Sequence, residues 1–147
     1  MKQIIVAIAM LILAGTSSVF AGEENIAPGV LKAFKTEFSH ATEVTWIAAD
    51  TYYRAEFTMS GQKVFAYYST DGVFIGLARF ISTMQLPIQL LSELKNDHSG
   101  YWVSDLFEVN NNDGTHYYIT LENAGATIKL KSSNGSKWET YEKKRKV

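Results

Sequence analysis

The chain has 147 residues, of which 46% are hydrophobic, 13% aromatic and 20% charged, with two prolines and no cysteine. That length fits one domain or at most two small ones, and the composition is too apolar and too aromatic for a disordered chain. A formal net charge of −1 gives no global basic field for nucleic acid, and the missing cysteine excludes disulfides, thiol nucleophiles and thiolate metal sites.

The first segment, 1-21, reads as a signal peptide. Lys2 supplies a short positive start, an apolar run of eleven residues follows from Ile4 to Ala14, and Val19-Phe20-Ala21 puts small residues at the −3 and −1 positions of a signal peptidase site. The run is short for a hydrocarbon core of ~30 Å, so no stable membrane insertion is expected after cleavage. A lipid anchor is excluded, because it needs a cysteine at the cleavage site. The mature chain would be Gly22 to Val147, 126 residues, periplasmic or secreted. A chain of that size buries roughly 65–70% of its unfolded surface, enough for one sizeable core.

The mature chain carries one pattern twice. Tyr53-x-Ala55-x-Phe57, Gly61, Val64-x-Ala66 and Asp71-Gly72 form one series; Tyr117-x-Ile119-x-Leu121, Gly125, Ile128-x-Leu130 and Asn134-Gly135 form the other, offset by 64 and finally 63 residues. Pro28 and Pro87 each open a short helical pattern. In the first, Leu31, Phe34, Phe38 and Ala41 make one apolar stripe; in the second, Leu90, Leu91 and Leu94 do so. The remainder of each copy alternates with period two, and Asp71-Gly72 and Asn134-Gly135 predict type I′ hairpins. The expected fold class is α+β: two tandem repeats, each a short helix packed on a four-stranded antiparallel meander, about 28-83 and 84-142. Phe34, Phe38, Trp46, Phe57, Leu91, Leu94, Ile119, Leu121 and Leu130 are the expected core.

Val30-Leu31-x-Ala33-Phe34-x-x-x-Phe38, Ala41-x-x-Val44-x-Trp46, Tyr53-x-Ala55-x-Phe57 and Tyr68-x-x-Asp71-Gly72 resemble the PepSY-like family of exported bacterial proteins. Pro87, Leu91, Leu94, Gly100-Tyr101, Tyr117-x-Ile119-x-Leu121 and Gly135-x-x-Trp138 agree in the second copy, so the likeness runs from about Pro28 to Trp138. These are core and turn positions. The resemblance implies a PepSY-like domain over 22-147, a fold related to the secreted β-lactamase inhibitor proteins, an envelope location, and a binding or inhibitory role. It carries over no inhibitory loop.

Motifs of catalysis are missing from the sequence. His40, His98 and His116 lie at no metal-ligand spacing, no nucleophile elbow or phosphate loop occurs, and the Asn110–Gly114 run lacks carboxylates at the first and last positions of a calcium loop. No enzyme activity, cofactor or metal is expected.

The face of the sheet turned away from the helices is the candidate site. If Tyr53, Ala55, Phe57, Val64, Ala66 and Tyr68 face the helix, strand parity places Tyr52, Arg54, Glu56, Phe65 and Tyr67 opposite, joined in the second copy by Tyr118, Thr120, Lys129 and Lys131. An open antiparallel face in water should be polar, whereas tyrosine, phenylalanine and arginine are enriched at binding hot spots. Tyr52, Arg54, Phe65, Tyr67 and Tyr118 are therefore the expected binding residues, exposed as one aromatic-basic patch. The partner would be an unidentified envelope protein or peptide, not nucleic acid. The alternatives are cross-strand aromatic packing, a homodimer that makes the chain a self-associating structural envelope protein, and a small-molecule or enzymatic site assembled from distant residues. Mass spectrometry of the native protein should find an N-terminus at Gly22; an intact Met1 would remove the export argument.

Overall fold

The computed structural model describes residues 19–147, so the expected signal peptide lies outside the described residues except for its last three. The described chain divides between Ala78 and Arg79 into two units with separate cores.

The first unit runs β1 (Val19–Ala21), a 3-10 turn at Glu23–Asn25, α1 (Pro28–Glu37), β2 (Thr42–Ala48), β3 (Tyr52–Met59), β4 (Gln62–Ser69) and β5 (Phe74–Phe80), whose last two residues belong to the second unit. Strands β1 to β5 pair antiparallel, each with its sequence neighbour. The second unit has a 3-10 turn at Thr83–Gln85, then α2 (Ile88–Asp97), β6 (Trp102–Asn111), β7 (Gly114–Glu122), β8 (Ala126–Ser132) and β9 (Glu139–Arg145), again an antiparallel meander. The class is α+β, as the alternating and helical periods predict.

Each helix begins at its proline, with Pro28 in the first turn of α1 and Pro87 as the N-cap of α2. A missing N–H costs nothing there, because the first amides of a helix have no partner inside it. Val30 and Phe34 are the buried face of α1, with Leu31 partly buried beside them and Phe38 closing the helix as its C-cap. On α2 the buried pair is Leu90 and Leu94, whereas Leu91, expected in the core, is only half-buried against it. The difference is angular: 90 and 94 are four residues apart and align along one edge, and 91 falls to the side of it.

Strand parity holds on the helix side. Trp46, Ala55, Phe57, Val64, Ala66 and Tyr68 form the first core with Val30 and Phe34, and Leu106, Tyr117, Ile119, Leu121, Ile128 and Leu130 form the second with Leu90 and Leu94. Phe34 sits at the centre of an aromatic cluster, with ring centroids 5.3 Å from Phe38, 5.2 Å from Trp46 and 5.0 Å from Phe57. In the second unit Trp138 is the anchor. Its indole N–H donates to the Leu90 carbonyl at 3.0 Å and its backbone N–H to the Glu93 carboxylate at 3.1 Å, tying the β8–β9 connection to α2.

The turns depart from expectation. A type I′ turn needs φ > 0 at both central residues, and that condition is met at Ser60 (φ 52) and Gly61 (φ 76), between β3 and β4. At Asp71-Gly72 and Asn134-Gly135 only the glycine has positive φ, and the connections are longer. Side chains build those loops instead. Ser69 accepts from the Val73 amide at 3.0 Å, and Asn134 accepts from the Ser136 amide at 3.0 Å, while both residues stay in ordinary backbone space.

Truncating Phe34 to alanine removes three edge-to-face or tilted ring contacts and leaves a cavity, so it should cost ~3–5 kcal/mol and lower the urea midpoint accordingly. An unchanged midpoint would mean that the helix packs by another face.

Candidate functional site

The opposite faces of the two meanders carry the expected binding residues. Pairing registers place Ile47, Arg54, Tyr67 and Gly76 in one cross-strand row of the first unit, with Glu56, Phe65 and Ala78 in the next. In the second unit Phe107, Tyr118 and Lys131 form one row, and Asp105, Thr120, Lys129 and Glu142 another. Residues directly opposite on paired strands share a face. The parity reading of Tyr52, Arg54, Phe65, Tyr67 and Tyr118 therefore holds.

Their exposure does not. Tyr52 is 4% exposed, Tyr67 1% and Tyr118 2%, so the open aromatic-basic patch is corrected to a covered one. Arg54 and Phe65 are half-buried. Neighbouring rings and long charged side chains cover one another across the strands. The Tyr52 and Tyr67 rings lie 5.9 Å apart, the Arg54 guanidinium stands 5.4 Å over the Phe65 ring, and Glu56 pairs with both Arg54 and Lys63. Phe107 and Tyr118 stack at 5.1 Å with an interplanar angle of 15°, and Tyr141 meets Tyr118 edge-on at 6.4 Å. Parity says which side of a sheet a residue takes; it does not say whether that side is wet.

Burial governs the electrostatics here. Removal from water pushes the Tyr67 phenol up to about 12, although Arg54, close enough to donate to its oxygen, pulls the other way. Burial raises Tyr118 further, and Tyr141 to about 12 with a contribution from the Glu142 charge. His116 is 4% exposed and is held below the usual imidazole range by burial, which outweighs the opposing field of Asp113.

Among the described residues, Arg54 Nε, both ring nitrogens of His116 and the Tyr141 hydroxyl are buried polar atoms of this face without a hydrogen-bond partner. On the helix side Trp46 Nε1 and the Tyr68 hydroxyl are likewise unpaired among the described residues. Sequence reasoning passed over His116, Phe107 and Tyr141. The first two share parity with Tyr118 along β7 and its partner β6, a signal that was readable. Tyr141 was not readable, because it sits at the register shift between Lys129 and Leu130.

Among the described residues no group of three or more His, Cys, Asp or Glu side chains is placed to hold a metal, and no helix is long and apolar enough to cross a membrane. The arrangement offers rings, apolar surface and unsatisfied donors and acceptors, which is chemistry for contact.

No family model matches the chain, and none of the curated proteins does. Solved structures do. A BLIP-like protein from Bacteroides fragilis matches 82% of this chain and 86% of its own at 18% identity, with a TM-score of 0.68. A DUF2874 family protein from Bacteroides ovatus matches with a TM-score of 0.70 at 17% identity, over 82% of this chain and 88% of its own. A Bacteroides eggerthii protein provisionally assigned to the periplasm matches with a TM-score of 0.68 at 15% identity, over the same shares. The chain thus has the fold of the BLIP-like proteins, the kinship in fold that the sequence resemblance implies.

A group whose acid form is favoured by burial stabilises the fold below its unfolded pKa, and that contribution disappears as pH rises through the folded value. Tyr67 and Tyr141 should therefore ionise late in a spectrophotometric titration, with stability falling between pH 10 and about 12. Tyr67→Phe should remove one late-ionising phenol. A phenol at Tyr67 that titrates at pH 10 would restore the exposed patch.

Proposed function

We infer that the mature protein is a non-enzymatic binding module of the cell envelope that docks another protein or peptide on its outer sheet faces. The observation that carries this reading is the Arg54 guanidinium over the Phe65 ring, a cation and an aromatic ring left half-open on the first unit's outer face, residue types of the kind found at interfaces.

Three further points support it. An antiparallel face that met only water would be polar, and this one carries Ile47, Tyr52, Phe65 and Tyr67 in one unit and Phe107 and Tyr118 in the other. The leader 1-21 fits export, and one structural neighbour is provisionally assigned to the periplasm. The BLIP-like fold and the PepSY-like residue pattern both point toward contact rather than catalysis, and the two helix-and-meander units read as copies of one ancestral pattern. Inhibition of a peptidase or another envelope protein is the form of binding that this kinship favours.

Affinity capture from the envelope fraction, with the native protein as bait, tests the reading. Wild type should retain one dominant polypeptide. Arg54→Ala and Phe65→Ala should weaken that interaction by ~1–2 kcal/mol or more, while the urea midpoint moves far less than for Phe34→Ala. Equal capture by the variants would move the interface elsewhere. A dimer of the bait at micromolar concentration in sedimentation, with nothing else captured, would favour the self-associating alternative.

A further inference from the structure

The second face of β2 as a sheet element is its edge, and that edge is occupied by the residues that export would remove. β1 pairs antiparallel with β2 in the register Val19↔Ala48, Phe20↔Ile47, Ala21↔Trp46. Cleavage after Ala21 falls at the end of β1, so it takes the whole strand away. We propose that the mature protein exposes β2 at Trp46–Ala48 as an open edge that accepts an extended, uncharged peptide segment of a partner as an added antiparallel strand. The proposal deepens the binding-module reading and rests on the export reading.

Hydrogen-bond alternation tells which groups are freed. The Ala49 amide donates to the Tyr52 carbonyl at 2.9 Å across the β2–β3 turn. Bonded and non-bonded pairs alternate along an antiparallel ladder. Counting back through the register, Ala48↔Tyr53 is a non-bonded pair, Ile47↔Arg54 a bonded one and Trp46↔Ala55 non-bonded. Ile47 therefore spends its N–H and C=O on β3. Those of Trp46 and Ala48 point outward, to Ala21 and Val19 in the full chain and to no strand once β1 has gone.

Such an edge is usually defended by charge, proline or a bulge. Thr45-Trp46-Ile47-Ala48-Ala49 has no charge and no proline. The irregularity between Thr42 and Thr45, with Glu43 at φ 54, ends the usable edge on one side and leaves Trp46–Ala48 regular. The chain's own occupant shows what fits: short, uncharged and extended. A residue seated opposite Ile47 falls in the same row as Ile47, Arg54 and Tyr67, so an added strand continues the outer face. This is strand addition, in which main-chain bonds give affinity and alternate side chains give selectivity.

The experiment uses the native protein, after its N-terminal residue has been found by mass spectrometry, and full-length chain for comparison. Amide exchange is followed at Trp46 and Ala48. In the full-length chain both amides should be protected, and in the Gly22 form they should exchange at least about tenfold faster. A capped synthetic peptide of residues 16–21, Thr-Ser-Ser-Val-Phe-Ala, added at saturation should restore at least about tenfold protection. The same peptide with Ala21→Pro should not, because it has lost the N–H aimed at the Trp46 carbonyl. No slowing with the first peptide, or equal slowing with both, overturns the proposal. Protection of the free Gly22 form that grows with concentration, with a dimer in sedimentation, overturns it in favour of a second copy as occupant. A native N-terminus at Met1 overturns it through the export reading, with the edge then closed by the chain itself.

Discussion

A ten-residue helix does not hold itself in water, and both helices of this protein are of that length. The structure therefore depends on one contact made twice: a pair of apolar helical side chains, Val30 with Phe34 or Leu90 with Leu94, pressed on a sheet. That contact fixes which side of each strand is interior. It also sets which residues are left for the other side. With no disulfide available, the cross-links around it are packed rings in the first unit and the Trp138 hydrogen bonds in the second.

The outer faces show why a sheet is a stronger constraint than a list of hydrophobic residues suggests. A helix leaves a graded periphery, so Leu31 and Leu91 sit half in and half out. A strand offers only two sides. Once Phe57, Ala66 and Ile119 are committed inward, Tyr67, Phe107 and Tyr118 have nowhere else to go, and they cover one another across the ladder. The unpaired imidazole and phenol atoms are the residue of that arrangement: polar groups carried into burial by aromatic rings whose apolar area outweighs them.

Much of this was legible in the chain. The prolines marked both helix starts, and period two assigned Ala55, Phe57, Ile119 and Leu121 to the core. The remainder was hidden for identifiable reasons. Glu43 takes φ 54 and its carboxylate accepts from the Thr58 hydroxyl at 3.0 Å, a local bargain between two strands that no periodicity announces. β1 was hidden because Val19-Phe20-Ala21 satisfies an address and an edge strand equally well. The candidate site was half legible: the side of the sheet could be counted, whereas its cover depends on how far neighbouring side chains reach.

His116 is the side chain of the second unit whose burial opposes protonation. Its two ring nitrogens have no partner among the described residues, and burial holds the imidazole below its ordinary value of 6.5 despite Asp113. For a base depressed in the fold, the neutral form is the native one. Its contribution is whole above the unfolded value and is withdrawn as pH falls from there through the folded one. Protonation would place a cation among apolar neighbours such as Val109, its partner across the β6–β7 ladder. This one side chain therefore couples the packing of the second unit to acidity.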